Sequence, residues 1–381
     1  MKKLNPEKLE RNIETRIRDD IGKGRVSGAA VLICQGGERI YRKAFGLQRP
    51  GGEEKLSFRA LFRLASMTKP ITAAAVLLQA DRGLLSLDDP VEKFLPAYRE
   101  MKVGVPDGRG GIITVGKAKE KLRIFHLLTH TGGVGCGEIG EGQFAKMTRE
   151  DKSSLERVAA FYAREALAFE PFTAQCYSPT AGFDLLARIV EITSRQTFAR
   201  FLKAELFEPL GMKDTTFTPT KAQWERMAVM HDYAEGRSGE AAMPKNCVFS
   251  DIPAACCDGG AGLASTIEDY SAFAEMLLNE GRAGRWQLLS PRAVHALASR
   301  QIPAELGGSW GFGVRVIDDP FYRRLPVGCF GWSGAYGTHF WVDPENRITA
   351  VYMKNSLYDG GSGARTAAHF EEDVTGALES L

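Results

Sequence analysis

The sequence predicts an α/β protein with an all-α part: an antiparallel sheet flanked by helices, built from both ends of the chain, with a helical domain inserted between them. Three observations carry that expectation. The front of the chain patterns as helix then hairpin, the back as strands then helix, and the middle as helices joined by long connections rich in Gly, Lys and Pro. The divisions fall at residues 1–84 for the first part of the sheet domain, 85–257 for the mostly helical domain and 258–381 for the second part of the sheet domain. With 381 residues and 44% hydrophobic composition, the chain has ample apolar side chains for such cores.

Each element has its own signal. "PEKLERNIETRIRDDI" is amphipathic at helical spacing, and "SGAAVLICQGGERIYRKAFG" reads as two β-rich runs turned by Gly36 and Gly37. "SMTKPITAAAVLLQADRG" has Ser66 at a helix start, Pro70 in the first turn, Ala and Leu through the body and Gly83 just past the end. The middle holds connections such as "KVGVPDGRGGIITVGKAKEK". After the helical "DGGAGLASTIEDYSAFAEMLLNEG", the runs "SWGFGVRVID", "GTHFWVD" and "RITAVYMKN" alternate like strands, and "SGARTAAHFEEDVTGALESL" closes the chain as a helix. A cleft between two such domains is the expected place for a site.

Composition excludes several functions. A net charge of +2 gives no broad field for nucleic acid or anionic membrane, and no local basic patch stands out. The first twenty residues run charged and polar where a signal peptide needs an apolar stretch, so the chain as given is expected to be cytoplasmic. The longest apolar run, "ITAAAVLLQA", is about half of the roughly 20 residues that span a bilayer, so no membrane helix is expected. The seven cysteines, odd in number and without a CxxC pair, read as free thiols; Cys176 adjoins Tyr177.

The chemistry-bearing residues fall in three stretches. In "LASMTKP", Ser66 and Lys69 lie one helical turn apart on one face. A serine hydroxyl needs a base, and a lysine serves when burial strips the solvation from its ammonium, while a helix N-terminus favours negative charge on the serine oxygen. The bland alternative is a capping serine beside a solvated lysine, and by itself the SxxK spacing favours it. In "CYSPTAGFDLLARIVEI", Ser178 reads as a cap and Pro179 as the first helical residue, which places Tyr177 just ahead of a helix as a proton relay or, alternatively, a packing aromatic. In "GWSGAYGTHFWVD", small residues allow close backbone approach, so the Ala335 and Ser66 N–H groups are candidates for an oxyanion hole; the alternative is a plain Gly-rich turn.

Taken together, with "LFRLASMTKPITAAAVLLQADRGLLSLDDPVEKFLP", "LRIFHLLTHTGGV", "LFEPLGMKDTTF", "GGAGLASTIEDYSAFAEMLL" and "GWSGAYGTHFWVDPENRI", these stretches resemble the serine β-lactamase and penicillin-binding-protein superfamily, nearest to class C β-lactamases and family VIII carboxylesterases. The resemblance runs from about residue 26 to the C-terminus. It implies a β-lactamase-like fold, Ser66 as acylated nucleophile, Lys69 as its base, Tyr177 as the second proton-transfer group, and Trp332, Ser333 and Gly334 as the third motif lining the substrate. No cofactor and no metal are implied.

Two departures bear on the substrate. Pro179 stands where the lactamases carry an Asn, and Trp332 where they carry a Lys, so two polar contacts to a lactam are missing, each worth about 1.5–3 kcal/mol when charge-assisted. Arg365, in "GSGARTAAHF", falls near the carboxylate end of the cleft in the class C pattern, so an acidic substrate stays open beside the alternative of a surface arginine. The expectation is a serine hydrolase acting on a small-molecule ester, amide or lactam, with a carboxylesterase favoured over a lactamase or D-amino-acid peptidase. A transferase follows from the same acyl-enzyme, and a non-catalytic acyl-binding sensor is the reading from another class.

Three further motifs are set aside. "GCGEIG" from Gly135 opens no βαβ unit and is expected as a loop, and "GIITVGKA" from Gly111 lacks the Ser or Thr that would hold Mg²⁺. His126 and His130 in "HLLTH" lack the Glu of a zinc motif and are expected to be structural; no GxSxG elbow occurs.

Overall fold

The computed structural model describes residues 1–108, 112–234, 237–243, 247–249, 251–361 and 363–379. Helix α1 (Pro6–Gly22) starts where Asn5 accepts the Lys8 N–H and Pro6 pre-sets the first turn, and it buries Leu9, Ile13 and Ile17 at four-residue spacing. Each such burial contributes roughly 1.5–3 kcal/mol. Strands β1 (Gly28–Gln35) and β2 (Glu38–Gly46) form the expected hairpin, turned by Gly36 and Gly37, both at positive φ.

A 3₁₀ turn, Ala65–Met67, leads into α2 (Thr68–Asp81), so Ser66 lies in the tight turn and Lys69 in the first turn of the helix proper. Helices α3 (Leu155–Tyr162) and α4 (Ala181–Ser194) pack together, and α4 also packs on α2. Helix α5 (Ile267–Leu278) follows, then strands β3 (Arg315–Val316), β4 (Phe330–Ser333), β5 (His339–Asp343) and β6 (Ile348–Met353), and helix α6 (Arg365–Thr375).

The six strands make one antiparallel sheet in the order β3-β4-β5-β6-β1-β2, so the chain ends meet where β6 pairs with β1. Strand alternation splits the core into two layers. Ala29, Val31, Ile33, Trp341 and Tyr352 face α1 and α6 on one side, with Phe370 and Val374. Ala30, Leu32, Phe340, Val342 and Met353 face the layer of α2 and α5 on the other. Helix α2 is buried over Thr68–Gln79, which explains why it is apolar almost all round.

Several local expectations shift. Helix α4 begins at Ala181, two residues after Pro179, yet Ser178 still caps it by accepting the Gly182 N–H at 3.0 Å. "SWGFGVRVID" is strand only at Arg315–Val316. The middle contains two hairpins, Lys102–Pro106 with Ile112–Lys117 and His231–Ala234 with Arg237–Glu240. Ile112–Lys117 is the body of the phosphate-loop look-alike, whose Gly111 lies outside the described residues. The glycines from Gly135 open a helix, Gly137–Lys146, rather than a loop. Among the described residues no helix is long and apolar enough to cross a membrane.

Candidate active site

Ser66 emerges half-buried between fully buried neighbours, because Ala65 adopts φ +46° and turns the chain just before it. A non-glycine residue in that region costs on the order of 1–3 kcal/mol, which the surrounding packing must offset. Lys69 is 0% exposed, and its Nζ lies 3.2 Å from Ser66 Oγ, 2.5 Å from the Pro179 carbonyl oxygen and 2.9 Å from that of Gly260. The Tyr177 hydroxyl donates to Ser66 Oγ at 2.8 Å. The three residues, 111 positions apart at the extremes, thus meet on one oxygen.

The lysine geometry has a chemical consequence. As an ammonium it donates to all three acceptors. As a free amine it keeps both N–H bonds on the carbonyls of Pro179 and Gly260 and turns its lone pair to Ser66 Oγ. The same side-chain position therefore suits either form of the lysine. Tyr177 and Phe183 add their ring faces at 5.0 and 5.6 Å from Nζ.

The Gly260 carbonyl is placed by the segment 258–262, which is laced to α2. Thr72 donates to the Gly259 carbonyl at 2.7 Å, and Thr68 accepts the Leu263 N–H at 3.2 Å. A Cβ on Gly259 would meet the Phe183 carbonyl oxygen at 2.5 Å, and one on Gly260 the Thr180 Cα at 2.6 Å, so only glycine fits between α2 and α4 here. Asp258 Oδ1 accepts the N–H groups of Gly260 and Ala261 at 2.7 and 2.8 Å, and Asp184 accepts that of Gly260 at 3.3 Å. Both carboxyls are buried against each other. Burial, and then the neighbouring Asp258 carboxyl, push Asp184 well above the usual carboxyl range.

The third motif approaches from β4. Thr338 donates to the Leu64 carbonyl at 3.0 Å, and a Cβ on Gly334 would meet that same oxygen at 2.1 Å, so glycine is required for the strand end to dock beside the Ser66 turn. Ala335, the next residue, is exposed. The Trp332 ring lies 5.5 Å from that of Tyr177 and 4.6 Å from that of Trp310, which stacks on Tyr177 at 5.8 Å; the Trp332 Nε1–H is buried without a partner among the described residues. Ser333 turns the other way, its Oγ 2.8 Å from His339 Nδ1. Arg365 is exposed at the start of α6; its backbone N–H donates to Asp359, and its guanidinium makes no hydrogen bond or ion pair among the described residues.

Trp310, Asp184, Asp258 and the carbonyls of Pro179 and Gly260 carry no signal in the sequence, and His130, expected only as a structural residue, lies against Tyr177 with ring centroids 4.6 Å apart. Backbone carbonyls leave no residue-type signal, and a Trp in "SWGFG" or a His in "HLLTH" has many fates. His126 is structural as expected: its Nδ1 accepts the Arg123 N–H at 3.2 Å and closes the first turn of Ile124–Leu128.

The Beta-lactamase family model matches residues 11–372. Esterase EstB of Burkholderia gladioli is 32% identical over 376 residues, covering 90% of each chain. Penicillin-binding protein 4* of Bacillus subtilis is 26% identical over 354 residues, covering 90% of this chain and 71% of its own. Among solved structures, EstCE1, a hydrolase with promiscuous acyltransferase activity, superposes with a TM-score of 0.82 at 23% identity, covering 97% of this chain and 99% of its own.

Proposed function

The chain belongs to the Beta-lactamase family, and on that premise we propose that it is a carboxylesterase working through an acyl-enzyme on Ser66. One observation carries the reading: Ser66 Oγ sits between Lys69 Nζ at 3.2 Å and the Tyr177 hydroxyl at 2.8 Å. Ser66 attacks the ester carbonyl carbon as Lys69 takes its proton. The N–H groups of Ser66 and Ala335 hold the developing oxyanion, a role supported by the docking of Gly334 and Thr338 onto Leu64. Tyr177 passes a proton to the departing alcohol, and water, activated by the same groups, releases the acid.

Two features favour an ester over a lactam. Pro179 has no side-chain donor or acceptor beside the reacting oxygen, and Trp332 joins Trp310 and Tyr177 in an aromatic wall where a lactam-binding site offers a cation. The similarity to an esterase over 90% of both chains points the same way. Ser333 and Gly334 contribute by setting β4 beside Ser66, with Trp332 facing the substrate.

The test is hydrolysis of p-nitrophenyl butyrate and of nitrocefin by the protein and its Ser66→Ala variant. Ester turnover that falls at least about 10³-fold with Ser66→Ala, beside slow nitrocefin turnover, is expected. Unchanged ester turnover in the variant overturns the reading, and nitrocefin turnover faster than ester turnover makes the protein a lactamase. Intact mass after a fluorophosphonate separates an enzyme, labelled at Ser66, from a binding protein that takes no label.

A further inference from the structure

We propose that His130 is the positioning residue for the Tyr177 hydroxyl, acting through the two backbone amides that flank that tyrosine. The inference rests on the reading of Tyr177 as the second proton-transfer group. Residues 174–178 belong to no helix or strand, so neither a helical ladder nor a sheet orders them. Their amides need other partners. The Cys176 N–H donates to the His130 carbonyl at 3.0 Å and the Ser178 N–H donates to His130 Nδ1 at 3.1 Å. One residue thus grips the chain on both sides of Tyr177.

His130 is itself over-determined. It sits at φ +58°, 2% exposed, with its ring 4.6 Å from that of Tyr177, 4.5 Å from that of Trp310 and 5.4 Å from that of Phe183. Because Nδ1 accepts, the proton is on Nε2, which is buried and finds no hydrogen-bond partner among the described residues. Burial, and then the charge of Lys69, push its pKa well below the ordinary histidine value, so the ring stays neutral and Nδ1 keeps the lone pair that the Ser178 N–H needs. A left-handed backbone and an unsatisfied buried nitrogen are costs that packing alone does not require, and they fall on the residue that aims the phenol.

The experiment compares His130→Asn with His130→Gln. Asn tolerates positive φ and puts its Oδ1 where Nδ1 stood, whereas Gln carries its acceptor one bond further out. The rate of fluorophosphonate labelling and kcat and KM for p-nitrophenyl butyrate are measured in the native and Tyr177→Phe backgrounds, with thermal melts as a folding check. His130→Gln is expected to lower kcat and labelling about 10- to 100-fold with little change in KM, while His130→Asn stays within about 5-fold of the parent. In the Tyr177→Phe background both effects should shrink to within about 2-fold, because the residue acts through the missing hydroxyl. Equal losses for Asn and Gln, or the same loss in both backgrounds, overturn the proposal. Ser66→Ala separates the two readings: if it retains turnover, the proposed function fails; if it abolishes turnover while the His130 effects persist without the Tyr177 hydroxyl, only the role of His130 fails.

Discussion

Lys69 and Glu371 are equally buried ionisable side chains on opposite sides of the sheet, and their surroundings differ in kind. Glu371, 2% exposed behind β4, accepts from the Tyr322 hydroxyl at 2.7 Å, Arg315 at 3.1 Å and Arg324 at 3.2 Å, with His339 Nε2 at 3.5 Å. Burial pushes its pKa up, but His339, Arg315 and Tyr322 outweigh it and bring it down to about 2. Lys69, 0% exposed, has no ion pair among the described residues: two carbonyls and a hydroxyl surround it. A buried charge answered by full counter-charges is a structural fixture. An amine answered only by two carbonyls and a hydroxyl has no such counter-charge, which fits the proton transfer proposed for Lys69.

The largest expected effects break that contrast at the cleft. Ser66→Ala and Lys69→Met should each lower ester turnover at least about 10³-fold. Lys69→Met removes no ion pair but leaves the Pro179 and Gly260 carbonyls without their donor, so its stability should fall by no more than about 1–3 kcal/mol, read from the urea midpoint. A loss of several kcal/mol would show that Lys69 is structural like Glu371.

Glu371→Gln should do the reverse, lowering stability by about 3 kcal/mol by leaving Arg315 and Arg324 beside a neutral group, while kcat per folded molecule changes little. Its pH dependence has a definite sign. The folded pKa of about 2 lies below the ordinary 4.5, so the stabilisation is fully present above about pH 4.5 and is lost as pH falls from there toward 2. Urea midpoints of the parent and variant should converge over that window.

Asp184 sharpens the contrast from the other direction, since its folded pKa is raised above the ordinary 3.8. Its protonation in the folded state opposes stability increasingly as pH rises above that value. Asp184→Asn, which holds the neutral form, should gain on the order of 1 kcal/mol over the parent at pH 8 and less at pH 5. The smallest effect is expected for Arg365→Ala: exposed, and with no ion pair among the described residues, it should change turnover of a neutral ester by less than about 2-fold.

Much of this architecture is legible before any fold is known. The β1–β2 hairpin follows from apolar runs turned by Gly36 and Gly37, helix α1 from Leu9, Ile13 and Ile17, and the Ser66–Lys69 pairing from a three-residue spacing that local geometry alone brings together. The boundaries near Ser66 and Pro179 were less legible, because Ala65 takes a strained turn and the Pro179 carbonyl is spent on Lys69 rather than on a helix.

The chain's order of residues by itself determined which elements form and which residue types are available for chemistry, since propensity, spacing and capping act over a few positions. Only the tertiary structure decided that Tyr177 reaches Ser66, that carbonyls 110 and 191 positions away ring the amine of Lys69, and that His130 grips the tyrosine from both sides. Those contacts join segments remote in sequence through backbone atoms common to every residue, so no local pattern announces them. They depend on close packing, since Gly259 and Gly260 fit between α2 and α4 only without a Cβ.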